Sequence, residues 1–401
     1  MRRLIVLSVV VIASFALTGL ARQAGTDGPY KVLKTSKVGG EGGSDYIYAD
    51  VAGRRLYIPR GGRRAVPATD TAPAIPAEPG RITVFNLDTL EPLGVIPDSG
   101  GNGVAVDPKS GHGFSSSKPV TMFDTKTLTV IKKIDVGAAQ PDGILFDAFN
   151  DRVYVFSHPT KDAIVIDAKE GTIIGNIDLG GVPEQGQVDG KGNLWVVMQD
   201  PIGSVTAVDV KTMKATGHYS FIDKGGCNGL ALDVKNKLLF ASCARSGVVA
   251  PPAPPATPAT AAAQPPAGAP PAPSASPAQP PVPPKPMMVI MSAVDGRIIT
   301  TLPLAGSSDG AQFNPATSEV FSSHGNGTMT IVTEKSPTSF EVLQNLQTMN
   351  GARTLTLDSK TNHILTMSVE RGPAPPPPPG GGRGGQAPVI PGSFTVLVIG
   401  K

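Results

Sequence analysis

One pattern of apolar and polar positions recurs along the chain. A short apolar run closes on Asp or Asn, a polar turn follows, and a second apolar run returns. A third run, such as Ile82-Thr83-Val84-Phe85-Asn86 or Ser204-Val205-Thr206-Ala207-Val208-Asp209, closes on another short polar residue. The residues ending the first run are Asp50, Asp107, Asp147, Asp189, Asp233, Asn314 and Asp358. They stand 57, 40, 42, 44, 81 and 44 residues apart, giving a period close to 42. The runs are brief, rich in β-branched and aromatic residues and bounded by turn formers, so each predicts a strand.

The second unit shows the frame. Asn102 to Asp107 predicts a first strand, and Pro108 to Gly111 a turn. His112 to Ser116 and Val120 to Asp124 follow as strands, and Leu128 to Val136 as a fourth. The same frame fits the third and fourth units, and no helical periodicity interrupts them. Four-stranded antiparallel sheets at this period predict an all-β, seven-bladed β-propeller. A solenoid would need shorter coils, and separate sandwiches would not repeat so regularly. The seventh unit supplies Thr354–Leu357, His363–Met367 and Phe394–Ile399, then lacks a fourth strand. Tyr30 to Gly39 resembles that element, so the N-terminal strand is expected to pair with the C-terminal blade and close the ring. Closure removes exposed sheet edges.

Composition changes the picture in three tracts. Of 401 residues 47 are Gly and 41 Pro, concentrated in 60–80, 246–286 and 371–392. Such segments cannot form a core and are expected as extended or disordered loops. All three fall between the second and third strands of a blade, hence on one face. The remainder, 30–401, reads as a single propeller domain. At the start, Arg2 and Arg3 precede an apolar run from Leu4 to Leu17, and Thr18-Gly19-Leu20-Ala21 offers a cleavage site. This run is shorter than the roughly 20 residues that span a bilayer, so 1–21 is expected to be a signal peptide. The expectation is a periplasmic or secreted protein with no membrane anchor.

The net charge of +3 includes Arg2 and Arg3, and no basic patch is present, so nucleic acid is not an expected partner. The chain contains two cysteines, Cys227 and Cys243. They flank a predicted hairpin turn, which places them opposite one another. A disulfide is the expectation, with two free thiols as the alternative.

Tyr154-Val155-Phe156 and Ile164-Val165-Ile166-Asp167-Ala168, followed by Thr172 to Gly180, resemble the YVTN-repeat propellers typified by the YncE-like family of exported bacterial proteins. The resemblance covers nearly the whole chain outside the Pro-rich tracts and implies a WD40-like ring. It departs at His112-Gly113-Phe114-Ser115 and at Val320-Phe321-Ser322-Ser323. Related propellers include binding proteins and lactonase-like proteins, so it implies fold more than chemistry.

First strands line a propeller axis, and their starts meet one mouth of the channel. Counting back five residues from each anchor gives Asp45, Asn102, Asp142, Glu184, Asn228, Asp309 and Arg353. Oxygen ligands of this kind suit a hard cation, with Asp142, Glu184, Asn228 and Asp309 as candidates. The other readings of the ring are a polar-ligand site without metal, and solvated turn caps. No cofactor is expected beyond Ca²⁺ or another divalent cation. Second strands end on the same face and bring Arg60, His158, Gln199, Arg245 and His324 towards the rim, where His158 and His324 are acid or base candidates. Trp195 stands where Tyr154 stands in its own unit, a position suited to packing between blades. No nucleophile elbow, phosphate loop or HExxH is present. The leading expectation is an exported, non-catalytic, monomeric propeller that binds a small polar ligand or an exported protein at its loop-rich face. The alternative is a metal-dependent, lactonase-like hydrolase at the same ring.

Overall fold

The computed structural model describes residues 27–401 except 41, 64, 66, 69–72, 75, 222–223, 247–284 and 374–386. The leader expected at 1–21 lies outside the described residues, as do most of the second and third Pro-rich tracts. Seven four-stranded antiparallel sheets follow one another around an axis. Six are built from consecutive strands, and blades 1 to 6 are numbered in chain order. Blade 7 has the strand order Leu355–Asp358, His363–Ser368, Thr395–Gly400, and then Lys31–Lys37 from the other end of the chain. The N-terminal strand is therefore the outer strand of the last blade, paired from Lys31↔Gly400 to Lys37↔Thr395.

The core is divided into seven apolar clusters, one at each junction between blades. Large side chains from the middle strands fill them because successive residues of a strand face opposite sides of the sheet, so each blade feeds both neighbours. Tyr154 and Phe156 pack towards blade 4, whereas Val153 and Val155 pack towards blade 2. Trp195 joins Leu230 and Leu239 between blades 4 and 5, the packing role read from the sequence. The closing blade is clasped on both sides. Glu319 of blade 6 accepts from the Tyr30 hydroxyl and pairs with Lys401 at 3.1 Å. Arg54 of blade 1 pairs with Asp358 of blade 7 at 2.7 Å.

The recurrent Asp or Asn that ends each first run has a local cause. Asp107 Oδ1 accepts from the backbone N–H of Lys109 at 2.9 Å. The same two-residue contact recurs at Asp147, Asp189, Asp233, Asn314 and Asp358. The side chain thereby stands in for a backbone acceptor in a tight turn. Four residues after the anchor, Arg54, Asp151, Lys237, Ser318 and Asn362 adopt positive φ, and Gly111 does so at the same place. These anchors are turn caps on the face opposite the first-strand starts. All three Pro-rich tracts join a second to a third strand and so leave from the face where first strands begin.

Candidate site at the channel mouth

The ring residues do not continue a regular ladder. In blades 3, 4, 5 and 6 the pairing of first with second strand shifts register between Pro141 and Ile144, Pro183 and Gly186, Cys227 and Gly229, and Ser308 and Gly310. Each irregularity contains a ring residue: Asp142, Glu184, Asn228 or Asp309. A bulge leaves a residue unpaired and re-aims its side chain, which here delivers those polar groups to the mouth. Glycine allows the first strands to approach. A Cβ at Gly229 would stand 2.7 Å from the Gly310 carbonyl carbon, closer than two such atoms can pack.

The re-aimed side chains form two networks. In one, Asn102 Nδ2 donates to Asp142 Oδ1 at 2.7 Å, and the Tyr46 hydroxyl donates to Glu184 Oε2 at 3.2 Å. The other oxygens of these carboxylates face His158. Nε2 is 2.9 Å from Asp142 Oδ2 and 3.4 Å from Glu184 Oε1. Despite these short distances, Nε2 is buried and aligned with no hydrogen-bond partner. In the second network Arg353 lies between two carboxylates. Its Nε is 2.9 Å from Asp309 Oδ2 and its Nη2 is 3.1 Å from Asp45 Oδ1. Asn228 Nδ2 donates to Asp309 Oδ1 at 2.9 Å.

Electrostatics differ accordingly. Burial, reinforced by the Asp142 charge, pushes Glu184 up to about 8. Burial also pushes Asp45 up to about 6, with Arg353 opposing. His158 is raised, chiefly by Asp142, against the effect of burial. The Tyr46 hydroxyl is pushed well above its ordinary value by burial.

Gln185 joins the two networks behind the ring. Its Oε1 accepts from the backbone N–H groups of Leu230 and Ala311 at 3.0 and 3.1 Å, and its Nε2 donates to Ala311 O at 3.0 Å. This cross-link binds blade 4 to blades 5 and 6. A cavity of about 320 Å³ remains in the channel, bordered by Tyr46, Gln185, Gln187, Gln312 and Thr356. A second, of about 890 Å³, runs outward from Asp45 and Arg353 over blade 7, past Met367, Ile390 and Phe394.

The seven count-back residues thus converge, with His158 added from a second-strand end. Of the other rim candidates, Arg60 and His324 do not join them. Arg60 turns inward and is fully buried. Its guanidinium lies 3.3 Å above the Phe394 ring and donates to Gly39 O at 2.6 Å, and burial lowers it to about 10. Stacking and burial displace it from the rim where the strand count placed it. His324 is also fully buried. It contacts Thr328 Oγ1 at 2.9 Å, and burial lowers it to about 4. Gln199 is fixed by its backbone, which donates to Val182 O at 2.8 Å. Arg245 pairs with Gly225 in its hairpin, and its side chain lies outside the description. Among the four residues considered for a cation, Asp142 and Glu184 face a common point, while Asn228 and Asp309 are engaged with each other. Cys227 and Cys243 are opposite one another and joined by a disulfide, one residue from Asn228. Tyr46 and Gln185 were not singled out from sequence, because neither ring spacing nor residue type marks a tyrosine or glutamine beside the counted position.

No family model matches the chain, and no curated protein does. Solved structures do resemble it. Kuenenia stuttgartiensis hydrazine synthase aligns at 13% identity and TM-score 0.60, over 88% of this chain and 96% of that one. The WD40 repeats of RRP9 align at 9% identity and TM-score 0.61, over 94% and 99%. U3-55K aligns at 9% identity and TM-score 0.60, over 92% and 98%. At these identities the likeness shows the fold alone, a seven-bladed propeller with WD40-like neighbours.

Proposed function

We propose that the protein is an exported, non-catalytic binding propeller that takes a positively charged ligand at the mouth of its channel. One observation carries this reading. The ring converges four carboxylates, and the Arg353 guanidinium ion-pairs two of them, Asp45 and Asp309, while Asp142 and Glu184 have only the His158 imidazole beside them. Asp142 and Glu184 are buried, and bringing unneutralised carboxylates together away from water is unfavourable until a cation joins them. The Pro-rich tracts leave from the same face, and the leader expected at 1–21 supports export.

The test is a thermal-shift screen of the mature protein against small cations, including putrescine and divalent ions, with acetate and phosphate as anionic counterparts. Cations should raise the melting temperature, and the pair D142N/E184Q should remove the effect. Stabilisation by anions alone, or an unchanged response in the double variant, would overturn the reading. The hydrolase reading requires a metal ion at the same carboxylates and stands or falls with metal binding there.

A further inference from the structure

We infer that Asp142, His158 and Glu184 form a binding site for a divalent transition-metal ion, with Asn102 and Tyr46 orienting its ligands. The inference rests on the cation-binding reading of the mouth and specifies its occupant. The donor atoms of the three residues all lie within 4.8 Å of one another. More telling are the individual separations of 2.9 Å from His158 Nε2 to Asp142 Oδ2 and 3.4 Å to Glu184 Oε1. Nitrogen and oxygen donors held about 2.0–2.2 Å from one ion stand roughly 3.0–3.5 Å apart when they occupy adjacent coordination positions. The two separations from Nε2 therefore match adjacent positions of a coordination shell.

The alternative account of the cluster is a direct hydrogen bond from His158 to Asp142, which the 2.9 Å separation permits. Nε2 is buried and near two oxygens, yet its N–H direction satisfies neither. One imidazole nitrogen shared between two carboxylate oxygens at 2.9 and 3.4 Å suits an ion held by all three as well as a proton held by two.

The outer oxygens complete the case. Asp142 Oδ1 is held by Asn102 and Glu184 Oε2 by Tyr46, which leaves Oδ2 and Oε1 turned inward. Polar groups that fix the non-ligating side of a ligand are the usual support of a metal centre. The donor set also selects the ion. One imidazole and two carboxylates favour Zn²⁺ or Mn²⁺, whereas Ca²⁺ seeks six to eight oxygens and gains nothing from a nitrogen. This narrows the oxygen-only cation expected from the ring count, because His158 replaces Asn228 and Asp309. Three protein ligands leave coordination positions open for water or a ligand oxygen.

The experiment is calorimetric titration of metal-stripped mature protein with Zn²⁺, Mn²⁺ and Ca²⁺, followed by Mn²⁺ electron paramagnetic resonance. One Zn²⁺ or Mn²⁺ per chain is expected, with Ca²⁺ weaker. H158A and E184Q should weaken binding at least about tenfold, and N102A by a similar factor through Asp142. D189N, at a turn cap on the opposite face, should leave it unchanged, and the unliganded melting temperature of each variant shows whether it is folded. Absence of Zn²⁺ and Mn²⁺ binding by the intact protein, or wild-type affinity in folded H158A, overturns the inference. Should putrescine still stabilise the protein through Glu184 while metals do not, the metal fails and the cation reading survives. Should neither bind, both fail.

Discussion

Arg353 and His158 hold comparable places in the two halves of the mouth, each between two carboxylates. Arg353 is permanently charged, meets Asp45 and Asp309 at 3.1 and 2.9 Å, and has Asn228 completing the set. His158 meets Asp142 and Glu184 at similar distances but carries charge only when protonated and is aligned with neither. The arginine half has its cation built into the chain. The histidine half has the same anionic frame without one. The difference separates carboxylates whose cation the chain supplies from carboxylates whose cation the proposed site would take up, on a face where residue types alone look alike.

The largest effect expected concerns the two histidines. His324 is lowered from 6.5 to about 4 by burial, so the unfolded chain binds a proton there first. Its contribution to stability is fully present above pH 6.5 and is lost as pH falls towards 4, an effect of about 3 kcal/mol on the linkage scale. His158 is raised, so its contribution is present below its ordinary value and is lost as pH rises through the folded one. Denaturant unfolding of H324N should show a shallower acid-side loss than wild type, and H158N a shallower alkaline-side loss. Equal slopes in the two variants would erase the distinction.

Gln185 tests whether the halves are mechanically joined. Q185L leaves the N–H groups of Leu230 and Ala311 without their acceptor, at an expected cost of about 2 kcal/mol by urea denaturation. A cost near zero would mean that blades 4, 5 and 6 hold their approach without the cross-link.

Much of this molecule was legible in the sequence because its repeat is enforced locally. Asp107 and Asp147 mark turns since their side chains cap them, and Lys31–Lys37 could be matched to a vacant outer strand because outer strands resemble one another. The ring positions were legible by the same count. What escaped was direction. Counting placed Arg60 at a rim, but its guanidinium stacks on Phe394 from a blade more than 300 residues away in the chain. Counting also left His158 as an isolated histidine, since the bulges at Asp142 and Glu184 that turn both carboxylates towards it leave no mark in the apolar period.

Neutralising one carboxylate in each half should have opposite consequences. At pH above about 8, where Glu184 becomes charged, E184Q relieves repulsion from Asp142 and should stabilise the metal-free protein by about 1 kcal/mol. D309N removes the charge that faces Arg353 and one of the two oxygens that Arg353 and Asn228 share, and should destabilise it by a similar amount. Chemical denaturation at one alkaline pH measures both. Shifts of the same sign would mean that the two halves are not electrostatically distinct.

The smallest effect belongs to Tyr46, whose hydroxyl donates to Glu184 at 3.2 Å. Y46F removes one long hydrogen bond and keeps the ring, so the unliganded protein should lose less than about 1 kcal/mol. Its influence on metal affinity should be larger in proportion, about tenfold, because Glu184 would be free to rotate its inward oxygen away from His158. A paired measurement of melting temperature and Zn²⁺ affinity separates the two roles. If affinity falls only in step with stability, Tyr46 is a packing residue of the channel wall. If affinity falls while stability holds, the tyrosine positions a ligand, and the histidine half is organised around an ion that the arginine half does not need.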